Sequence, residues 1–242
     1  MYICFFIAVL AYFTLTSALD ARKTKRLINA SITEKVRVKW YVEAIIWEWG
    51  AVLAVLIMCL LSDISFKDIG FRQISFEYDF WFNFIIIALC GLLFALLLYQ
   101  VISYLASAKY REAIQAKFTN DMDKSHYNAV MENLLIPRSK KEKQAFFWVS
   151  LTAGICEEIL LRGFLFFLLQ AVFPNITIIL VVIIASVLFG LWHSYQGLQG
   201  VIKTTLAGAL FGCLYLVTGS LIPGILLHFF VDYSSAFLLS EE

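Results

Sequence analysis

The stretch FFWVSLTAGICEEILLRGFLFFLLQA, residues 146–171, decides how the chain is read. A bilayer crossing takes about 20 mainly apolar residues, and this run supplies them, yet Glu157, Glu158 and Arg162 sit in its middle. An ionisable side chain at the centre of a membrane helix costs roughly 2.5–3.5 kcal/mol on insertion scales. A cluster of them therefore points to a functional site. Glu158 and Arg162 are one helical turn apart, with the acid before the base, the better polarity for an ion pair on one face. The plain reading of that pair is structural, since pairing is the cheapest way to keep a carboxylate in hydrocarbon. Glu157 lies about 100° round the helix and has no such local partner. A partly desolvated carboxylate is a candidate general base.

Two further pairs repeat the one-turn spacing. His193 follows Phe189 by four residues, and Asp232 follows His228 by four. The chain has 3 histidines; the third, His126, falls in a polar segment and reads as a solvated surface residue. Measured from the ends of their spans, Glu157 is about 16 Å deep, His228 about 17 Å and Asp232 about 11 Å, at 1.5 Å per residue. His193 lies near the inner end of its span. All four side chains can line one cavity in the same half of the bilayer.

The 242 residues are 61% hydrophobic and 15% charged, with mean hydropathy +0.81. Soluble domains carry about 25% charged residues, so the chain reads as an integral membrane protein, an all-α polytopic bundle. A net charge of +1 gives no electrostatic case for nucleic acid. Seven spans are predicted, at 2–19, 42–61, 80–106, 146–171, 176–194, 200–217 and 221–239. The connections 20–40 and 108–145 are rich in Lys and Arg, whereas 62–79 holds four acids against Lys67 and Arg72. The positive-inside rule then puts the N-terminus outside and the C-terminus in the cytoplasm, with the cavity open to the cytoplasmic side. The domain division is 1–144, N-terminal helices and basic loops, and 145–242, a four-helix core. Trp40, Trp47, Trp49, Trp81 and Phe82 read as interfacial belt residues, and Glu43 and Glu48 as a solvated helix end. The charge run 138–143 reads as an anchor to anionic lipid, and Gly208-x-x-x-Gly212 as a close helix contact. The five cysteines lie in apolar runs without a CxxC pair and read as small core fillers.

Together, Glu157-Glu158-x-x-x-Arg162, Phe189-x-x-x-His193 and His228-x-x-x-Asp232 resemble the motifs of the CPBP family, the type II CAAX prenyl proteases and bacteriocin-processing or immunity proteins. The resemblance spans about 145–242, and Asp68-Ile69-Gly70-Phe71-Arg72 adds a weaker likeness. It implies a metal-free intramembrane glutamic endopeptidase of the bacterial plasma membrane, acting on a membrane-associated peptide or protein. Carried over residue by residue, Glu157 activates water with help from His193, His228 and residue 232 form the oxyanion hole, Glu158 and Arg162 support the site, and Phe189 packs against it.

One position departs from the pattern, where Asp232 stands in place of the common Asn. An amide donates to an oxyanion, whereas an ionised carboxylate only accepts. Asp232 is then protonated, or orients His228 as the donor, or marks an inactive site. The second reading is the expectation. No cofactor is expected. Zinc is the alternative, since two histidines and carboxylates can bind it, but no His-Glu-x-x-His is present. A non-enzymatic immunity or scaffold protein binding a partner peptide, and a proton-coupled transporter, are the competing functions.

Overall fold

In hydrocarbon a backbone must satisfy its own N–H and C=O groups, which makes the helix the natural state of these apolar runs. The computed structural model of the chain describes residues 1–27, 31–76, 78–114 and 134–239, and among these there is no strand. The helices are α1 (Tyr2–Leu27), α2 (Glu34–Leu61), α3 (Phe80–Ala106), α4 (Lys140–Glu158), α5 (Phe166–Val172), α6 (Ile178–Trp192), α7 (Gly197–Thr218) and α8 (Leu221–Leu239). Five of the described helices are long and apolar enough to cross a membrane: α1, α2, α3, α7 with the short turn before it, and α8. α6 is equally apolar but only 15 residues long. Their outward faces carry large exposed aliphatic and aromatic side chains, such as Leu60, Leu61, Phe80 and Trp81. The chain is an integral membrane helix bundle. His126 lies outside the described residues.

The predicted fourth span departs from a plain α-helix. Between α4 and α5, Ile159–Leu165 forms a π turn, starting directly after Glu157 and Glu158. All seven of its side chains are buried, so this turn is the centre of the bundle, apolar all round except for Arg162. π turns are rare and concentrate at functional sites. A Cβ on Gly163 would stand 2.5 Å from the Ile69 carbonyl oxygen, so only glycine lets the 62–76 loop press onto the turn. That loop also accepts a hydrogen bond at Gly70 O from Leu221 N, 3.1 Å, and donates one from Ser75 N to Thr218 O, 2.9 Å. Arg72 Nε donates to Gly219 O. The Asp68–Arg72 segment thus ties the π turn to the α7–α8 corner. Behind the site, α6 and α7 pack closely, as the glycine pair predicts: Cβ atoms on Gly208 and Gly212 would meet Phe189 Cδ1 at 3.0 Å and Val182 Cγ1 at 3.2 Å.

At the opposite end, Ser139 and Glu142 form a capping box that starts α4. In the run 138–143, Lys140 and Lys141 are exposed, but Glu142 is fully buried. It takes hydrogen bonds from Arg37 Nε at 2.7 Å, Arg138 N at 2.6 Å and Ser139 N at 2.8 Å. Burial pushes this carboxyl up, but the backbone and guanidinium hydrogen bonds outweigh it and hold Glu142 below its ordinary value of 4.5. A carboxylate depressed in the folded state stabilises it above the unfolded value, and that contribution fades as pH falls through the folded one. Thermal unfolding in detergent should therefore show stability dropping below about pH 4.5, with a smaller drop in Glu142→Gln. An equal drop in both proteins would remove Glu142 as a cause.

Candidate active site

The last turn of α4 presents Glu157 and Glu158 on adjacent faces, and the π turn carries Arg162 back toward them. Arg162 Nη1 donates to Glu158 Oε1 at 2.9 Å and Nη2 to Gly208 O at 3.1 Å. The guanidinium also lies over the rings of Phe189, 4.9 Å, and Phe211, 5.4 Å. The predicted ion pair is formed, and it is fully buried. Glu158 has a second role that the spacing does not reveal. Its Oε1 also receives His228 Nδ1 at 3.0 Å. A Cβ on Gly224, one turn before His228, would crowd Glu158 Oε2 at 3.0 Å, so glycine there lets the α4 carboxylate approach α8.

His193 caps the end of α6, and its Nδ1 lies 2.9 Å from Phe189 O. A carbonyl oxygen only accepts, so Nδ1 carries a hydrogen and Nε2 is left with its lone pair when the ring is neutral. His228 follows the same logic, with Nδ1 donating to Glu158. Both Nε2 atoms then face Glu157: His193 Nε2 stands 3.9 Å from Glu157 Oε1, and His228 Nε2 stands 3.6 Å from Oε2. These gaps exceed direct hydrogen-bond reach. Asp232 Oδ2 lies 3.5 Å from the same His228 Nε2. Phe211 stacks on the His228 ring at 4.9 Å, and Phe189 meets the His193 ring edge-on at 4.7 Å. The structure therefore brings Glu157, His193, His228 and Asp232 into one cluster, with Glu158, Arg162 and Phe189 behind it.

The cluster opens into a cavity of about 390 Å³ between α2, α4, α7 and α8, walled by Phe146, Val149, Ala153, Phe211 and Val231. A second, smaller cavity between α1, α2 and α6 also reaches Glu157 and His193. Glu157 is 7% exposed, and its Oε2 is buried without a hydrogen-bond partner. Such an atom is unusual enough to need an explanation.

Residues 142–234 match the family model of type II CAAX prenyl endopeptidases, Rce1-like. The resemblance read from the motifs is confirmed. The match covers less than half of the chain, and all seven motif residues fall inside this Rce1-like segment. Comparisons with curated proteins and with solved structures gave no match. The Rce1-like family is one of proteases, so the match supports a peptidase embedded in a membrane.

Two expectations are corrected. Glu48 is not a solvated helix end: it lines both cavities, and its Oε2 is buried. Trp40 also walls the same cavities, opposite Tyr195, with ring centroids 6.5 Å apart. Asp232 does not hold the orienting hydrogen bond of His228, because Glu158 takes Nδ1 and leaves Asp232 on the cavity-facing Nε2. Glu48 lies 109 positions before Glu157, on another helix, and no periodicity links the two. Only its depth, about 14 residues into α2 or roughly 21 Å, could have placed it level with Glu157. Among the described residues, no three His, Cys, Asp or Glu side chains are arranged to hold a metal ion.

Proposed function

We propose that this chain is a glutamate-based intramembrane endopeptidase that hydrolyses a peptide bond of a membrane-associated peptide or protein. The observation that carries the reading is Glu157: a buried carboxylate with an unpartnered Oε2, lining the cavity beside two histidine Nε2 atoms. That is a place for a water molecule to be held and deprotonated.

The chemistry follows from the hydrogen-bond roles. Water donates one hydrogen to Glu157 and the other to His193 Nε2, whose lone pair is fixed inward because Phe189 O holds Nδ1–H. Glu157 takes the proton as the oxygen attacks the scissile carbonyl. His228 acts in its protonated form: Nδ1–H is committed to Glu158, and Nε2–H meets the developing oxyanion. Carboxylates stand on three sides of the ring, Glu157 and Asp232 at Nε2 and Glu158 at Nδ1. Arg162 holds Glu158 in place. Collapse of the tetrahedral intermediate breaks the C–N bond, and Glu157 returns its proton to the leaving amine. No metal is required for these steps. We place the site at the cytoplasmic side of a bacterial plasma membrane, because Lys23, Trp40 and Leu135, which belong to the basic connections 20–40 and 108–145, line its cavities.

The test is cleavage of a panel of hydrophobic peptides by the purified protein in detergent, with and without a chelator. Cleavage indifferent to the chelator is expected. Activity abolished by chelation and restored by zinc would replace the glutamate mechanism with a metal one. Binding of a partner peptide that is never cleaved would support the non-enzymatic reading instead.

A further inference from the structure

The cavity between α1, α2 and α6 has a character different from the main one. Its walls are aromatic, with Tyr12, Trp40, Trp47 and Tyr195, and its acids, Asp20, Glu43, Glu48 and Glu157, outnumber its one lysine, Lys23. One carboxylate of this cavity already has cations: Glu43 binds Lys23 at 2.6 Å and Lys39 at 3.8 Å. Deeper in, Glu158 has Arg162 and His228. Glu48 is not so served, since its buried Oε2 has no hydrogen-bond partner. Beside it, the nine-tenths-buried Glu157 is likewise unpartnered at Oε2 and opens into the same space. The wall also accepts a cation: Lys23 Nζ lies over the Trp40 ring, 5.7 Å from its centroid, a geometry that attracts ammonium groups.

Resting on the peptidase reading above, we infer that this cavity is a specificity subsite for a basic side chain of the substrate, with Glu48 as its counter-ion. Trp40, Ala44, Glu48, Glu157, His193 and Tyr195 line both cavities, so the two meet at the reacting carboxylate. A peptide lying across that junction puts one residue in the apolar cavity walled by Phe146, Val149 and Phe211, and a neighbour beyond the scissile bond against Glu48. The substrate class is a peptide with a hydrophobic residue on one side of the cut and Lys or Arg on the other. A buried carboxylate favours a cation over a neutral isostere because the partner replaces lost hydration, and the Trp40 and Tyr195 faces add to it.

Two readouts keep this separate from the peptidase reading. Labelled hydrophobic peptides differing only in Lys against norleucine are first tested for direct binding to the full chain in detergent. The Lys peptide should bind about tenfold tighter, and the ratio should fall toward one in Glu48→Gln. Glu48→Lys should invert the preference toward a Glu-containing peptide, which loss of a merely structural carboxylate does not produce. Equal binding of both peptides to the wild type, or a Lys preference that persists in Glu48→Gln, overturns the subsite whether or not either variant folds well. Cleavage of the same peptides is then read: a binding preference without cleavage refutes the peptidase and leaves the cation site standing. Cleavage without any charge preference refutes the subsite and leaves the peptidase standing.

Discussion

Glu157→Gln is expected to lower peptide cleavage by roughly 10²–10⁴-fold, the usual contribution of a positioned general base, and to leave the fold intact. The amide has the same shape but cannot take a proton from water. Little structure depends on the carboxylate, since Oε2 has no hydrogen-bond partner and the nearest histidine nitrogens stand at 3.6 and 3.9 Å. Removing a buried charge should not destabilise the bundle, and thermal unfolding in detergent should sit at or above the wild-type midpoint. Glu158→Gln acts differently. It breaks the Arg162 pair and weakens the acceptor for His228 Nδ1, so it should lose both activity and stability. Measuring kcat, KM and the unfolding midpoint of both variants separates the roles. Cleavage at near wild-type rate by Glu157→Gln would remove it as the base, and a matching loss of stability would mean that it holds structure instead.

Much of this arrangement was legible in the sequence, and the part that was not has a common cause. The helices follow from length and hydropathy alone. The Glu158–Arg162 pair and the His228–Asp232 proximity follow from one-turn spacing, because both partners lie on one helical rod. Contacts between rods carry no such signal. The hydrogen bond from His228 to Glu158 joins residues 70 positions apart, and it decides which carboxylate orients the ring. The spacing pointed to Asp232, which shares the helix with His228, whereas the tertiary approach of α4 to α8, made possible at Gly224, favours Glu158. Glu48 was misassigned for a related reason. The predicted span starts at 42, which makes Glu48 look like a helix end, but α2 starts at Glu34 and carries Glu48 to mid-helix, where α1 and α6 pack around it. The π turn was invisible too, since Ile159–Leu165 has the composition of any apolar helix.

Arg162→Met is expected to produce the largest loss of stability of any single change at the site. The guanidinium side chain is 2% exposed and does four things at once. It neutralises Glu158, donates to Gly208 O, and covers the faces of Phe189 and Phe211. Methionine matches the volume but leaves Glu158 buried without its cation and the Gly208 carbonyl without that donor. Breaking a buried pair from one side costs about 3–5 kcal/mol, enough to lower the unfolding midpoint by many degrees or to prevent accumulation in the membrane. Lysine should not rescue it, because one ammonium cannot span the two acceptors and stack between two rings as a planar fork does. The second change Glu158→Gln should recover part of the loss, because it removes the stranded charge, so the double variant should be less unstable than the two single costs added together. That double variant should remain catalytically weak, since His228 Nδ1 has lost an ionised acceptor. Strict additivity of the stability losses would mean that Arg162 acts through Gly208 and the aromatic rings rather than through Glu158, and the support assigned to the Glu158–His228 hydrogen bond would then need another source.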